Sequence, residues 1–210
     1  MSTVTILGSG NMARGIATRV LAGGNAVQVL DRDPSHAARL TAELSGQVES
    51  GTIGDLIAGE VIVLAVPYAA AVSLVEQYGD ALVGAVIVDI TNPVDFATFD
   101  SLVTPADSSA AEEIAKAVPA GASVVKAFNT TFAATLVTGS VAGEPLDVLI
   151  AGDDPDAKAR VSELIEAGGL RAIDAGPLRR ARQLEQAGFL HMLLQDPLGT
   201  GFASALRFLG

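Results

Sequence analysis

Short runs of β-branched and aliphatic residues alternate with longer Ala-rich stretches along most of the chain. Val4 to Leu7 is the first run, and a helical pattern over Asn11 to Ala22 follows it until Gly23 and Gly24 break the periodicity. Ala26 to Leu30 is the second, ending at Asp31, after which Pro34 suits the first turn of a helix reaching Leu44. Val61 to Val66, a helix from Ala69 to Tyr78 and the run Ala85 to Ile90 continue the alternation. Strands that are apolar on both faces and separated by helices predict an α/β protein with a doubly wound, mostly parallel sheet covered on both sides.

Past Asn92 the pattern loosens into a polar stretch. A helix is predicted over Ser109 to Val118, where Glu112 and Glu113 lie in the first turns and suit the helix dipole, and Ser123 to Phe128 reads as a strand. The remainder predicts a strand over Leu146 to Ala151, a helix over Pro155 to Ala167, a strand over Arg171 to Asp174 and a long helix over Pro177 to Gln195. No repeat or low-complexity linker separates these parts, so the last third is expected to pack against the first.

Composition narrows the chemistry. The 210 residues carry 13 Lys and Arg against 24 Asp and Glu, a net charge of −11, which argues against a general nucleic-acid binder and against anionic lipid. There is no cysteine, which removes thiolate catalysis, iron–sulfur clusters and Cys-based zinc sites, and the two histidines lie far apart, so no metal site is expected. The densest apolar run stops at Pro67, far short of a membrane span. No basic or cleavage-type segment precedes Thr3, and a cytoplasmic location is the expectation.

The sharpest chemical signal is Gly8-Ser9-Gly10-Asn11-Met12-Ala13, a G-x-G-x-x-G/A loop directly after a strand and opening a helix. The first glycine permits the turn, the second lets a pyrophosphate approach the backbone, and Ala13 keeps helix and strand close. In this context the loop predicts a Rossmann-type dinucleotide site. The acidic residue that such a site expects about 20 positions on is Asp31, with Arg32 beside it. A carboxylate there accepts from ribose hydroxyls and favours NAD, whereas a guanidinium pairs with the 2′-phosphate of NADP, so the preference stays open. Ala65, Pro67 and Tyr68 end another strand at the same carboxyl edge, with Tyr68 either packing on the coenzyme or merely starting a helix. Asn92 ends the next strand and offers an amide to the nicotinamide ribose or carboxamide.

The combination of the glycine loop with Asp89-Ile90-Thr91-Asn92-Pro93-Val94, Ser109-Ala110-Ala111-Glu112-Glu113, Val125-Lys126-Ala127-Phe128-Asn129-Thr130, Ala151-Gly152-Asp153-Asp154 and Asp174-Ala175-Gly176-Pro177-Leu178 resembles the NADP-dependent reductases of coenzyme F420, in their bacterial branch. The resemblance runs nearly end to end. It implies a dinucleotide-binding domain over 1–127 and a small C-terminal domain over 128–210 that covers the sheet edge, with the acceptor site and dimer contacts in a homodimer. It also implies hydride transfer between a nicotinamide and a deazaflavin, which requires the two rings face to face at about 3 to 3.5 Å and no acid, base or nucleophile. Small-molecule coenzymes are then the partners. Two positions depart from the pattern: the family commonly has Ser before Arg where this chain has Asp31 before Arg32, and often His where it has Asn129.

Lys126, Asn129 and Thr130 end a strand in the expected crevice and are candidates to position the rings, although Lys126 equally suits a surface ion pair. Gly176, Pro177, Leu178, Arg179 and Arg182 are candidates for the acceptor, since a phosphorylated, oligoglutamylated deazaflavin is a polyanion and needs a local basic patch. The alternative for these arginines is a solvated helix face with Arg182 paired to Glu185 at i, i+3. His191 reads as a packed or interface histidine. Two other functions stay open: an imine or keto reductase, because Gly10-Asn11-Met12-Ala13 also resembles the start of pyrroline-5-carboxylate reductases, and a dinucleotide-binding module without catalysis.

Overall fold

In the computed structural model, which describes residues 2–209, the apolar runs form strands and most of the Ala-rich stretches form helices. The chain passes through β1 (Thr3–Leu7), α1 (Asn11–Ala22), β2 (Ala26–Asp31), α2 (Pro34–Ala42), β3 (Val48–Thr52), β4 (Val61–Leu64), α3 (Tyr68–Tyr78) and β5 (Val86–Asp89). It continues through α4 (Ala110–Ala117), β6 (Ser123–Lys126), α5 (Ala133–Thr138) and a small hairpin of β7 (Ser140–Val141) and β8 (Glu144–Pro145). The last elements are β9 (Asp147–Gly152), α6 (Pro155–Ala167), β10 (Arg171–Asp174), α7 (Ala181–Leu193) and α8 (Gln195–Leu198). Local chemistry sets several helix starts: Asp33 and Asp154 accept N–H groups of the turns that Pro34 and Pro155 open, and Ser109 accepts from Glu112 at the start of α4. The single helix expected over Pro177 to Gln195 instead begins as a 3₁₀ turn at Leu178–Arg180 and divides into α7 and α8.

Eight strands form one sheet in the order β10-β9-β6-β5-β4-β1-β2-β3. Period-2 alternation sends Val61 and Val63 into the core under α1 and α6, while Ile62 and Leu64 join the core under α3 and α4. All pairings in this sheet are parallel except that of β6 with β9, where Lys126 lies opposite Ala151 in antiparallel register. Because β10 runs parallel to β9, these two strands oppose the other six. The sheet therefore continues across residue 127, and the turn after β10 leaves from the edge opposite to the one where β1, β4, β5 and β6 end.

The helix that opens the glycine loop is held closely by later parts of the chain. A Cβ on Gly15 in α1 would lie 2.7 Å from the Leu136 Cβ of α5. One on Gly168, just after α6, would lie 2.8 Å from the Arg19 carbonyl oxygen at the far end of α1. Among the described residues no helix is long and apolar enough to cross a membrane.

Candidate functional site

β1 ends at Leu7, and the chain turns through Gly8-Ser9-Gly10 into α1. Gly8 adopts φ +106°, and a side chain there would collide with the Ala65 carbonyl oxygen, so only glycine fits. Its N–H donates to the Leu30 carbonyl at 2.7 Å, and Ala65 N–H donates to Leu7 at 2.8 Å, which fixes the loop against the ends of β2 and β4. Gly10, at the N-cap of α1, differs: no atom lies within 4 Å of where its Cβ would stand. No side chain caps this helix and its first turn holds no acidic residue. Its first N–H groups and the positive end of its dipole are thus left for an anion.

Two hollows meet at Gly10, Ala65, Val66 and Pro67. One, of about 430 Å³, passes Ser9, Asp31 and Arg32. The other, of about 510 Å³, is mainly apolar and is walled by Asn11, Met12, Tyr68, Asn92, Asn129 and Phe132, with Phe96 and Phe202 exposed along it. The structure therefore brings Gly8, Ser9, Gly10, Asn11, Met12, Asp31, Arg32, Ala65, Pro67, Tyr68, Asn92 and Asn129 into one continuous crevice at the carboxyl edge of the sheet. Thr130 is buried behind it, and its carbonyl accepts from His191 Nδ1 at 3.2 Å. His191 lies 4.3 Å, ring centre to ring centre, from Phe132, and burial holds its imidazole below the usual histidine range.

Lys126 sits beneath the crevice with its side chain 0% exposed. Its ammonium donates to Asp89 Oδ2 at 2.7 Å, to the Thr91 carbonyl at 2.5 Å and to Glu185 Oε1 at 2.8 Å. Three protons meet three acceptors, so none remains for a ligand. Asp89 also accepts from Thr91 N–H at 2.8 Å, and Glu185 accepts from Ala110 N–H at 3.0 Å at the start of α4. Burial pushes the Glu185 carboxyl above the usual range despite the pull of Lys126. Above this cluster Asn92 donates to the Asn129 carbonyl at 2.7 Å, and Asn129 donates to Asn92 Oδ1 at 3.0 Å and to the Leu184 carbonyl at 2.8 Å. Behind the same wall Thr91 Oγ1 and Asn129 Oδ1 are buried without a hydrogen-bond partner.

Asp89 and Glu185 escape sequence reasoning. Lys126 within an apolar strand is a usable signal, and parallel register sets Asp89 directly opposite it. Glu185 has no such marker, because its burial depends on how α7 packs. The i, i+3 pair of Arg182 with Glu185, the alternative to an acceptor role, does not form: Arg182 donates from Nε and Nη2 to Glu112, at 2.8 and 2.7 Å.

Gly176, Pro177, Leu178, Arg179 and Arg182 are not brought to this crevice. The inversion of β9 and β10 directs the turn after β10 toward β9's own carboxyl end, where Gly152 N–H donates to the Gly176 carbonyl at 3.1 Å and Leu178 N–H to Asp153 at 2.9 Å. Leu178 is buried among the residues packed under α3 and α4, and Arg179 is exposed.

Comparison with known proteins adds to this geometry. The profile of the family described as "NADP oxidoreductase coenzyme F420-dependent" matches residues 3–93. The F420-dependent NADP reductase of Methanothermobacter thermautotrophicus is 34% identical over 201 residues, covering 89% of this chain and 85% of that protein. The metalloreductase STEAP3 of Rattus norvegicus is 37% identical over 185 residues, but the chain spans only 35% of its length. Among solved structures, a putative F420-dependent NADP reductase from Arthrobacter sp. FB24 superposes with a TM-score of 0.88 over 100% of both chains at 28% identity.

Proposed function

This chain belongs to the family of F420-dependent NADP reductases, and from that premise we propose that it moves a hydride between a nicotinamide dinucleotide and a deazaflavin of the coenzyme F420 type. It is an NAD(P)-dependent oxidoreductase. The observation that carries the finer reading is the continuity of the crevice: an uncapped helix start, open at Gly10, leads directly into a mainly apolar hollow walled by Tyr68, Asn92 and Asn129. Gly8, Ser9, Gly10, Asn11 and Met12 hold the pyrophosphate, Asp31 and Arg32 meet the adenosine ribose, and Ala65, Pro67 and Tyr68 wall the path to the nicotinamide.

The bound coenzymes supply the hydride donor and acceptor. The chain's part is to stack two flat rings, exclude water and fix their faces. Asn129 and Asn92 meet the rings, while Lys126 and Thr130 act from behind as positioning residues. Residues 128–210 supply the acceptor side through Phe132, Met192 and Phe202. A homodimer pairing through the exposed Leu190, Leu194 and Leu198 belongs to the same proposal.

The test is spectrophotometric: NADH and NADPH are each offered with coenzyme F420 and with FMN. Nucleotide oxidation coupled to reduction of F420 is the expected result. Tight nucleotide binding with no turnover on either acceptor would instead make the chain a binding module.

A further inference from the structure

The adenosine end of the crevice presents a carboxylate where a phosphate needs a cation. Asp31 closes β2, and both of its oxygens are engaged: Oδ2 accepts from Ser9 Oγ at 2.6 Å and Oδ1 from Asp33 N–H at 3.1 Å. Burial raises its carboxyl, but the hydrogen bonds from Ser9 and Asp33 together outweigh this and hold it below the usual range. Asp31 is thus ionised at neutral pH. Arg32 is exposed and makes no salt bridge among the described residues, so nothing holds its guanidinium over the site.

An ionised carboxylate can only accept hydrogen bonds. The two hydroxyls of an unmodified ribose are donors and complement it. A 2′-phosphate is an acceptor of like charge, and a pair of such charges a few ångströms apart at a partly exposed site is strongly disfavoured. The Ser9 hydroxyl, which would otherwise be free to donate to a phosphate, already donates to Asp31.

We infer that Asp31 makes this chain select NAD(H) over NADP(H), a departure within a family whose relatives are named for NADP. The inference rests on the coenzyme reading of the glycine loop and deepens it by assigning the coenzyme's chemical form.

Isothermal titration of the full chain with NADH and with NADPH tests it, alongside Asp31→Ser, which restores a small hydroxyl before Arg32. The wild type should bind NADH at least about tenfold more tightly than NADPH, and Asp31→Ser should invert that order. Equal or tighter binding of NADPH by the wild type overturns the inference, as does an unchanged ratio in a folded Asp31→Ser protein. If that variant fails to fold, the wild-type ratio alone decides. Failure of both nucleotides to bind overturns the coenzyme reading itself, an outcome distinct from a preference for NADPH.

Discussion

Replacing Lys126 with methionine removes the charge and keeps most of the side-chain length. Asp89 and Glu185, with side chains 0% and 1% exposed, are then left facing one another without the ammonium that joins them. Removing one partner of a buried ion pair costs about 3–5 kcal/mol. Here three hydrogen bonds of 2.5 to 2.8 Å vanish together, which places the cost toward the upper part of that range. With a urea slope of about 2.5 kcal/mol per molar for a chain of this size, the unfolding midpoint should fall by roughly 1.8 M, read by circular dichroism at neutral pH. The loss should depend on pH. Burial raises Glu185 and Lys126 opposes it, so the variant raises it further. A carboxyl raised in the folded state contributes fully below its unfolded value of about 4.3 and loses that contribution as pH rises through the folded one. The variant's deficit should therefore be smaller at pH 5 than at pH 8. A fall of less than about 0.4 M, equivalent to about 1 kcal/mol on the same slope, refutes the reasoning, and so does a deficit that grows on acidification.

At the glycine loop, Gly10→Val places its side chain in open space in the free protein, so the loss of unfolding stability should stay near the roughly 1 kcal/mol that an apolar residue costs at an N-cap, while calorimetric binding of NADH and NADPH is lost; retained affinity would remove the loop from the binding site. His191 is held neutral by burial, so its contribution is present above the unfolded value of about 6.5 and lost as pH falls through the depressed folded one. His191→Gln should accordingly show a smaller drop in urea midpoint between pH 7.5 and 5.5 than the wild type, and an equal drop would place the acid sensitivity elsewhere.

The elements that could be read from sequence were those whose signals are local. Pro155 to Ala167 and Arg171 to Asp174 occur at the bounds that capping and apolar runs imply. β3, with the polar sequence Val-Glu-Ser-Gly-Thr, carries no apolar alternation because it is a half-exposed edge strand, and it goes unrecognised. α5 has only six residues, too few for a helical period to declare itself. The direction of β9 matters more. A continuously apolar strand looks the same whichever way it runs, yet its reversal decides where Gly176 to Leu178 and the neighbouring arginines lie. Within the crevice, the glycine loop, Asp31 and Asn92 are legible because strand ends in a parallel sheet share one edge. Glu185 is not, since the burial of one face of α7 is settled by the packing of distant segments.

The contacts at Gly15 and Gly168 bear on how such a protein accommodates its ligands. Many two-lobed enzymes close around a substrate by swinging on a hinge. In this chain the helix that opens the coenzyme loop is clamped at its middle by α5 and at its end by the turn after α6, and the sheet is continuous beneath them. Among the described residues these contacts and the shared sheet tie the part before residue 127 to the part after it, and oppose a rotation of one against the other. For the two-ring function proposed above, the spacing of the rings is then built in at folding rather than achieved on binding, and the small adjustments that admit and release them fall to exposed side chains such as Phe96 and Phe202.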